Sequence, residues 1–282
     1  MKSIVVERDL SPQSDVVARK AAAIAKSAKA KLILVSAANE ESFFERIFTS
    51  KEERPTIDER KLALIETLKS LDVEGEVIVQ DEPLCDLLAR AAKENAAGLI
   101  ALDDRGVSGI AAFFLSDTTK CIIDRSDSPI LAIKNDDVAP YSRILIATDF
   151  QQSSLNAALF ALETFPDAEF LLFNAYFAPS DVIAAHNVVT DGISAMLDTM
   201  KREATAKLEE FKNALPPTKN EIRAISRASA SPSDSIANIA LSEKSDLIVV
   251  GAGEIGTLLS DAIGDSTESL LKRSAIDILV VR

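Results

Sequence analysis

One stretch of this chain occurs twice, and the repetition limits the possible folds more than any other feature. The clearer copy runs from Asp246 to Arg282 (DLIVVGAGEIGTLLSDAIGDSTESLLKRSAIDILVVR), the other from Ala97 to Lys134 (AGLIALDDRGVSGIAAFFLSDTTKCIIDRSDSPILAIK). Each reads as an apolar strand, a loop holding Gly or Asp, a small-residue segment, a helix opening on Ser, Thr or Asp, and a second apolar strand. Unbroken apolar runs, without polar alternation, suit parallel strands buried on both faces. A loop that leaves the carboxyl end of such a strand for a helix N-terminus is where α/β folds usually hold phosphate. The repeat therefore indicates the architecture and a candidate site together.

The rest of each half follows the same order. In the first half, strands are expected at Ser3–Glu7, Lys31–Ala37 and Val73–Val79, and helices at Ser14–Ala30, Ile57–Leu71 and Pro83–Asn95. Asn39–Thr56 reads as a charged excursion with one helical turn. In the second half, strands are expected at Arg143–Phe150, Glu169–Tyr176 and Glu221–Ala228, and helices at Ser153–Phe165 and Ser231–Lys244, with a longer helical region ending before Pro216. Asp9 and Asp149 both fall at the end of a first strand, 140 residues apart, whereas Asp103 and Gly251 are 148 apart, so the second half carries eight extra residues in its middle. The expected domains are residues 1–136 and 141–282, joined by a linker at 137–140. Domains of about 140 residues bury roughly 68–70% of their unfolded surface, enough for each to own a core. Strands alternating with helices imply parallel βαβ units with right-handed crossovers. The expected fold is α/β, two tandem doubly wound five-stranded parallel sheets.

Charge and composition narrow the function. A net charge of −13 argues against non-specific nucleic-acid binding, which needs Lys and Arg on phosphates, and against anionic membranes. The start, MKSIVVERDLS, holds too few apolar residues for a signal-peptide core, and no run approaches the length of a membrane span. Cys85 and Cys121 do not make a disulfide framework; both are expected as inert buried thiols in helices, which fits a cytoplasmic location. His186 is the only histidine and cannot head a zinc site. There is no hydrolase-like order of Ser, His and Asp and no GxxxxGK[ST] loop, so no enzymatic activity is expected. Apolar side chains in the excursions, Phe43, Phe44, Ile47 and Phe48 in Asn39–Thr56 and Val182, Ile183, Val188, Val189 and Ile193 in Ser180–Met196, either cover their own domain, form a docking surface or line a pocket.

Over nearly its full length the chain resembles a tandem member of the universal stress protein family. The resemblance rests on ILIATDF closing strand one, on DLIVVG leading into the last loop, and on terminal strands ILAIK and ILVVR after S-x-x-P or S-x-x-D. It implies a Rossmann-like fold of the adenine nucleotide alpha hydrolase type, with the halves related by a pseudo-two-fold axis. The family's nucleotide-binding branch carries G-x2-G-x9-G-[ST] after strand four, and an Asp ending strand one contacts the adenosine side. The glycines there admit phosphates to backbone amides. Carried onto this chain, the resemblance points to Asp149, Ala175, Gly251, Gly264, Asp265, Ser266 and Thr267 in the second half, and to Asp9, Ala37, Gly106, Ser116 and Asp117 in the first.

Both copies depart from that pattern. The second half has Glu254 at the second glycine and Asp265 after Gly264; the first has Asp103 at the first glycine, and Ser116 and Asp117 at the last two positions. These carboxylates, with Asp104, would stand where phosphates should sit, and like charges about 4 Å apart repel by ~1 to ~4 kcal/mol as the dielectric falls from water to about 20. A divalent cation bridging carboxylate to phosphate would reverse the sign. Asp117 and Asp265 also read as N-caps of their own helices. The resulting expectation is a cytoplasmic, stress-responsive binding or regulatory protein with nucleotide motifs degenerate in both halves, ATP binding weak or absent, and no cofactor. The alternative is a nucleotide sensor that binds ATP in the cleft of the second half. The expected partner is a protein or a small-molecule ligand. The family's habit of pairing last strands implies that Ile130–Lys134 meets Ile278–Arg282 in an intramolecular pseudo-dimer, with a homodimer as a further expectation.

Overall fold

A computed structural model describes residues 1–38, 55–105, 117–178, 191–252 and 265–282, with the backbone alone for 117, 191–194, 265, 266 and 268. Of the excursions singled out above, 39–54 and 180–190 lie outside the described residues, whereas Thr56 caps a helix and 191–196 are helical. Contacts divide the chain into two compact units, Met1–Pro140 and Tyr141–Arg282.

In the first unit the strands are β1 (Ser3–Glu7), β2 (Lys31–Ala37), β3 (Gly75–Gln80), β4 (Leu99–Asp103) and β5 (Ile130–Ile133), and the helices α1 (Pro12–Ala28), α2 (Ile57–Leu71), α3 (Leu84–Glu94) and α4 (Asp117–Arg125). The strands lie parallel in the order β3-β2-β1-β4-β5. Val5 of β1 is in register with Ile33 on one side and Ile100 on the other, and all three are buried. Burying one such side chain contributes about 1.5–3 kcal/mol, so the unbroken apolar runs seen in the sequence are what a strand covered on both faces needs.

Local chemistry sets the element ends. Ser11 accepts a hydrogen bond from Ser14 N at 3.1 Å and Pro12 fills the first helical position, so α1 begins two residues before Ser14. Thr56 and Glu59 form a reciprocal capping box that opens α2 at Ile57. β3 starts at Gly75 instead of Val73. A Cβ on Gly75 would lie 2.1 Å from the Leu32 carbonyl oxygen, so only glycine lets the strand enter the sheet there.

The second unit repeats the plan with β6 (Arg143–Ala147), α5 (Gln152–Thr164), β7 (Glu169–Phe177), α6 (Asp191–Asn213), β8 (Ile222–Ser229), α7 (Pro232–Ser242), β9 (Leu247–Gly251), α8 (Asp265–Arg273) and β10 (Asp277–Val281). Its strands are parallel in the order β10-β9-β6-β7-β8. The first strand ends at Ala147 and not at Phe150, because the chain turns: Phe150 has φ 68°, matching Leu10 at 72° in the first unit. Among the described residues, no helix is long and apolar enough to cross a membrane.

The cysteines correct an expectation. Cys85 and Cys121 are not free thiols but a disulfide, with Cα atoms 6.2 Å apart. Leu87 and Leu88 of α3 and Ile122 of α4 pack into one apolar cluster with Val5 and Ile100, and Cys85 lies against that cluster. Seating both helices on the same core brings two positions 36 residues apart in sequence to bonding distance.

Candidate binding crevices at the strand ends

In each unit the chain runs outward from its first strand through the second and third, then returns to place the fourth strand on the other side of the first. The ends of β1 and β4, and of β6 and β9, are therefore topological switch points, where open α/β sheets form crevices.

In the first unit that crevice is occupied by the protein's own charges. Arg105 Nε donates to Asp103 Oδ1 at 2.6 Å, and its two Nη atoms reach the Asp136 carboxylate and the Gln13 carbonyl in α1. One guanidinium thus ties the end of β4 to the first turn of α1 and to the segment after β5. Next to it, Asp104 is buried, pairs with Lys134 Nζ and accepts from Thr119 Oγ1 of α4 at 3.0 Å. Burial raises the pKa of Asp103 above the ordinary carboxylate value, and Arg105 works against that shift. Asp103 and Asp104 were expected to present bare negative charge; each instead carries a cation, because Arg105 and Lys134 fold back onto them.

The end of β1 is equally self-contained. Arg8 is buried, donates through Nη1 to Ser11 O at 2.9 Å and Ser14 Oγ at 2.6 Å, and burial lowers its pKa. Asp9 Oδ1 accepts from Ser11 N at 2.9 Å and from Ser11 Oγ at 2.5 Å, which makes it a turn residue orienting the cap of α1. Ala37 is buried at the end of β2.

The second unit reaches a different arrangement at the same places. Thr148 stands where Arg8 does, and its Oγ1 lies 3.0 Å from Ser154 Oγ. Asp149 is exposed and its Oδ1 accepts from Gln151 N at 3.0 Å. Gly251 closes β9 with the backbone of α5 directly over it: a Cβ there would lie 2.5 Å from Ser153 C and 2.6 Å from Ser154 N. Behind this, buried Asn174 donates to Thr148 O at 2.8 Å, while its Oδ1 and the Oγ of Ser226, its register partner on β8, have no hydrogen-bond partner among the described residues. Ser36, the corresponding residue of β2, likewise has a buried, unpartnered hydroxyl. Ala175 and Thr267 are half-buried.

The crevices therefore bring together only part of the expected set. Asp9 and Asp103 share one switch point, and Asp149 and Gly251 the other. Gly106, Ser116, Glu254 and Gly264 lie outside the described residues, and of Asp117, Asp265 and Ser266 only the backbone is described. Asp117 and Asp265 stand at the described starts of α4 and α8. Among the described residues, no group of three His, Cys, Asp or Glu side chains is placed to hold a metal ion.

The sequence model of the universal stress protein family matches residues 1–134 and again residues 140–282. The chain belongs to the universal stress protein family. Similar solved structures include a universal stress protein from Archaeoglobus fulgidus DSM 4304, at 17% identity and a TM-score of 0.67, with 99% of this chain and 98% of that one covered. A functionally unknown protein from Pseudomonas aeruginosa PAO1 follows at 16% identity and a TM-score of 0.66, covering 100% of this chain and 92% of that one. At these identities the likeness is one of fold. A comparison with curated proteins finds no match.

Within the universal stress protein fold, the residues that sequence reasoning missed are the cations. Arg105 stands two positions after Asp103, a spacing that lets its backbone N and its side chain both reach the same carboxylate oxygen. That local signal was available. Lys134 and Arg8 reach their partners only once β5 and α1 are folded alongside.

Proposed function

We propose that this universal stress protein is a stress-responsive binding or regulatory protein whose first-half crevice is closed to nucleotide and whose affinity for ATP is weak or absent. The observation that carries the reading is Arg105, bound at once to Asp103, Asp136 and Gln13 across the mouth of that crevice. A phosphate entering there would draw Arg105 off two carboxylates and then face them. Arg105 would gain the phosphate as it leaves the carboxylates, so the net cost is repulsion from the freed carboxylates. That repulsion is ~1 kcal/mol for a close pair in water and ~4 at an effective dielectric of about 20, which at ~1.4 kcal/mol per tenfold weakens binding by about one to three decades. On this reading the chain needs no cofactor, turns over no substrate, and works in the cytoplasm through a protein partner or small ligand.

A second reading, a nucleotide sensor in the second half, is favoured by one observation. Asn174 Oδ1 and Ser226 Oγ are buried and have no hydrogen-bond partner among the described residues, at the strand ends where exposed Asp149 stands. A ligand carrying hydrogen-bond donors, such as an adenine amino group, would satisfy them.

Calorimetric titration with ATP, with and without magnesium, decides between the readings. No heat from wild type supports the first. Heat that disappears in Asp149→Ala but survives in Arg105→Ala establishes the sensor, and heat that disappears in Arg105→Ala overturns the closed first-half crevice outright.

A further inference from the structure

The same two positions are paired in both halves, with different chemistry. Adding 148 to Cys85 and Cys121 gives Ser233 and Ser269. Ser233 Oγ donates to Ser269 Oγ at 3.3 Å, joining α7 to α8 where the disulfide joins α3 to α4. Adding 148 to Asp86 and Arg125 gives Asp234 and Arg273, and each of these couples is an ion pair between the same two helices of its unit. The second half thus holds this helix contact with no covalent bond. In the first half the disulfide is added to an interface that the Arg–Asp pair and the apolar cluster already align.

We propose that Cys85 and Cys121 form a reversible thiol–disulfide site that takes low-molecular-weight disulfides and thiols as its redox partners and locks or releases α4. Both residues are only partly buried. In the reduced chain Cys85 stands in the first turn of the 11-residue helix α3, whose N-cap residue, Pro83, has no side chain that can cap it. The N–H groups of that turn stabilise a thiolate, and the neighbouring carboxylate of Asp86 is paired with Arg125. The Cys85 thiolate attacks one sulfur of the small disulfide, forming a mixed disulfide and expelling one thiolate. The Cys121 thiolate then attacks Cys85 Sγ, which forms the intramolecular bond, breaks the mixed one and expels the second thiolate. Two electrons pass from the protein thiols to the small disulfide, and the two cysteine protons end on the two expelled thiols.

Locking α4 has a consequence in the crevice. Thr119, on the same helix as Cys121, donates to buried Asp104, so the oxidised state fixes a contact of the ion-pair network at the end of β4. Reduction leaves that contact in place but lets the helix open more often.

The test uses the whole chain in glutathione buffers of graded composition, with free thiols trapped by alkylation and counted by mass spectrometry. The expected result is one reversible transition between no alkylation and double alkylation. In the single variants, the mixed disulfide should form on Cys85 of Cys121→Ser about tenfold faster than on Cys121 of Cys85→Ser, as thiolate stabilisation at a helix start requires. Amide exchange in α4 should be about tenfold faster in the reduced protein, with α8 unchanged as the internal control. The double variant Cys85→Ser/Cys121→Ser, which copies the second half's own pair, should exchange like the reduced protein. Cysteines that stay unalkylated in the folded protein under excess reduced glutathione, or α4 exchange that ignores the redox state, would overturn the proposal.

Discussion

At the carboxyl end of its fourth strand the first half carries Asp103 and Asp104, and the second carries Gly251 and Ala252. The first accommodates a side chain at that point and spans the gap to α1 with Arg105, while the second omits the Cβ and lets the backbone at Ser153 settle directly onto Gly251. The same contrast recurs at the end of the first strand, where buried Arg8 in one half is matched by a Thr148–Ser154 contact in the other. It recurs again between helices, as a disulfide against a serine pair. Beside the Arg–Asp pair that both halves keep between their last two helices, one fold thus closes the same three seams in two ways, by added charge and covalent bonding in the first half and by small side chains and close backbone in the second. The first solution depends on every partner being present. The second depends on what is missing.

That dependence gives the largest expected effect. Asp104→Ala removes the carboxylate from Lys134, whose side chain is 9% exposed and whose partner is 1% exposed. Breaking a buried pair on one side costs about 3–5 kcal/mol, because the surviving charge stays desolvated. Urea unfolding of the first half should show a loss of that order, whereas Ala252→Ser at the matching position should change little. A loss under about 1 kcal/mol would mean that Lys134 swings out to water and that the pair is not a structural part of the crevice.

The covalent seam comes next. The disulfide closes a loop of 36 residues, for which chain entropy gives an upper value of about 4 kcal/mol. Replacing both cysteines with serine should cost about 2–4 kcal/mol by the same measurement, leaving a folded chain with an intact Arg125–Asp86 pair. In the second half, Gly251→Ala adds a Cβ 2.5 Å from Ser153 C, where a helix backbone and not a flexible side chain must move. Overpacking of this kind costs about 1–3 kcal/mol, and Asp103→Ala, at the equivalent place, should show no such steric term.

These expectations also mark what could be read from the residues and what could not. The strands were legible because a doubly covered strand is apolar at every position, as ILIA and LIVVG are. Ile57–Leu71 was legible to the residue from Leu62, Leu64, Ile65 and Leu68 at helical spacing, and the structure adds the Thr56–Glu59 capping box that fixes its start. The end of the first strand in the second half was not, because TDF continues an extended pattern while Phe150 in fact adopts a left-handed conformation. At the site, Asp9 and Asp149 were placed at strand ends, but charge was counted one sign at a time. Asp103 and Asp104 looked repulsive to phosphate only while Arg105 and Lys134 went unassigned, and an ion pair between residues 30 apart in sequence leaves no periodic trace. The disulfide was hidden for the same reason, as two isolated cysteines carry no spacing that says which helix faces coincide.

The smallest effect tests the balance of forces at Asp103. Burial is the larger influence on its carboxyl and Arg105 the opposing one, so its pKa in the folded protein lies above the ordinary 3.8. The folded chain therefore holds that proton more tightly than the unfolded chain does. The associated stability is present below the ordinary value and is lost as pH rises through the raised one. Gly251 gives the second half no counterpart. Asp103→Asn removes the titration while Arg105 keeps Asp136 and the Gln13 carbonyl. Unfolding measured across the acid range should show wild type losing stability relative to this variant as pH rises, with a difference in slope below the one-proton limit of about 1.4 kcal/mol per pH unit. Above that range the variant should be at least as stable as wild type, since a neutral amide escapes the burial penalty. If the variant is instead less stable at neutral pH, the Arg105 attraction outweighs desolvation, and the first half's crevice is held shut by charge more firmly than its burial alone implies.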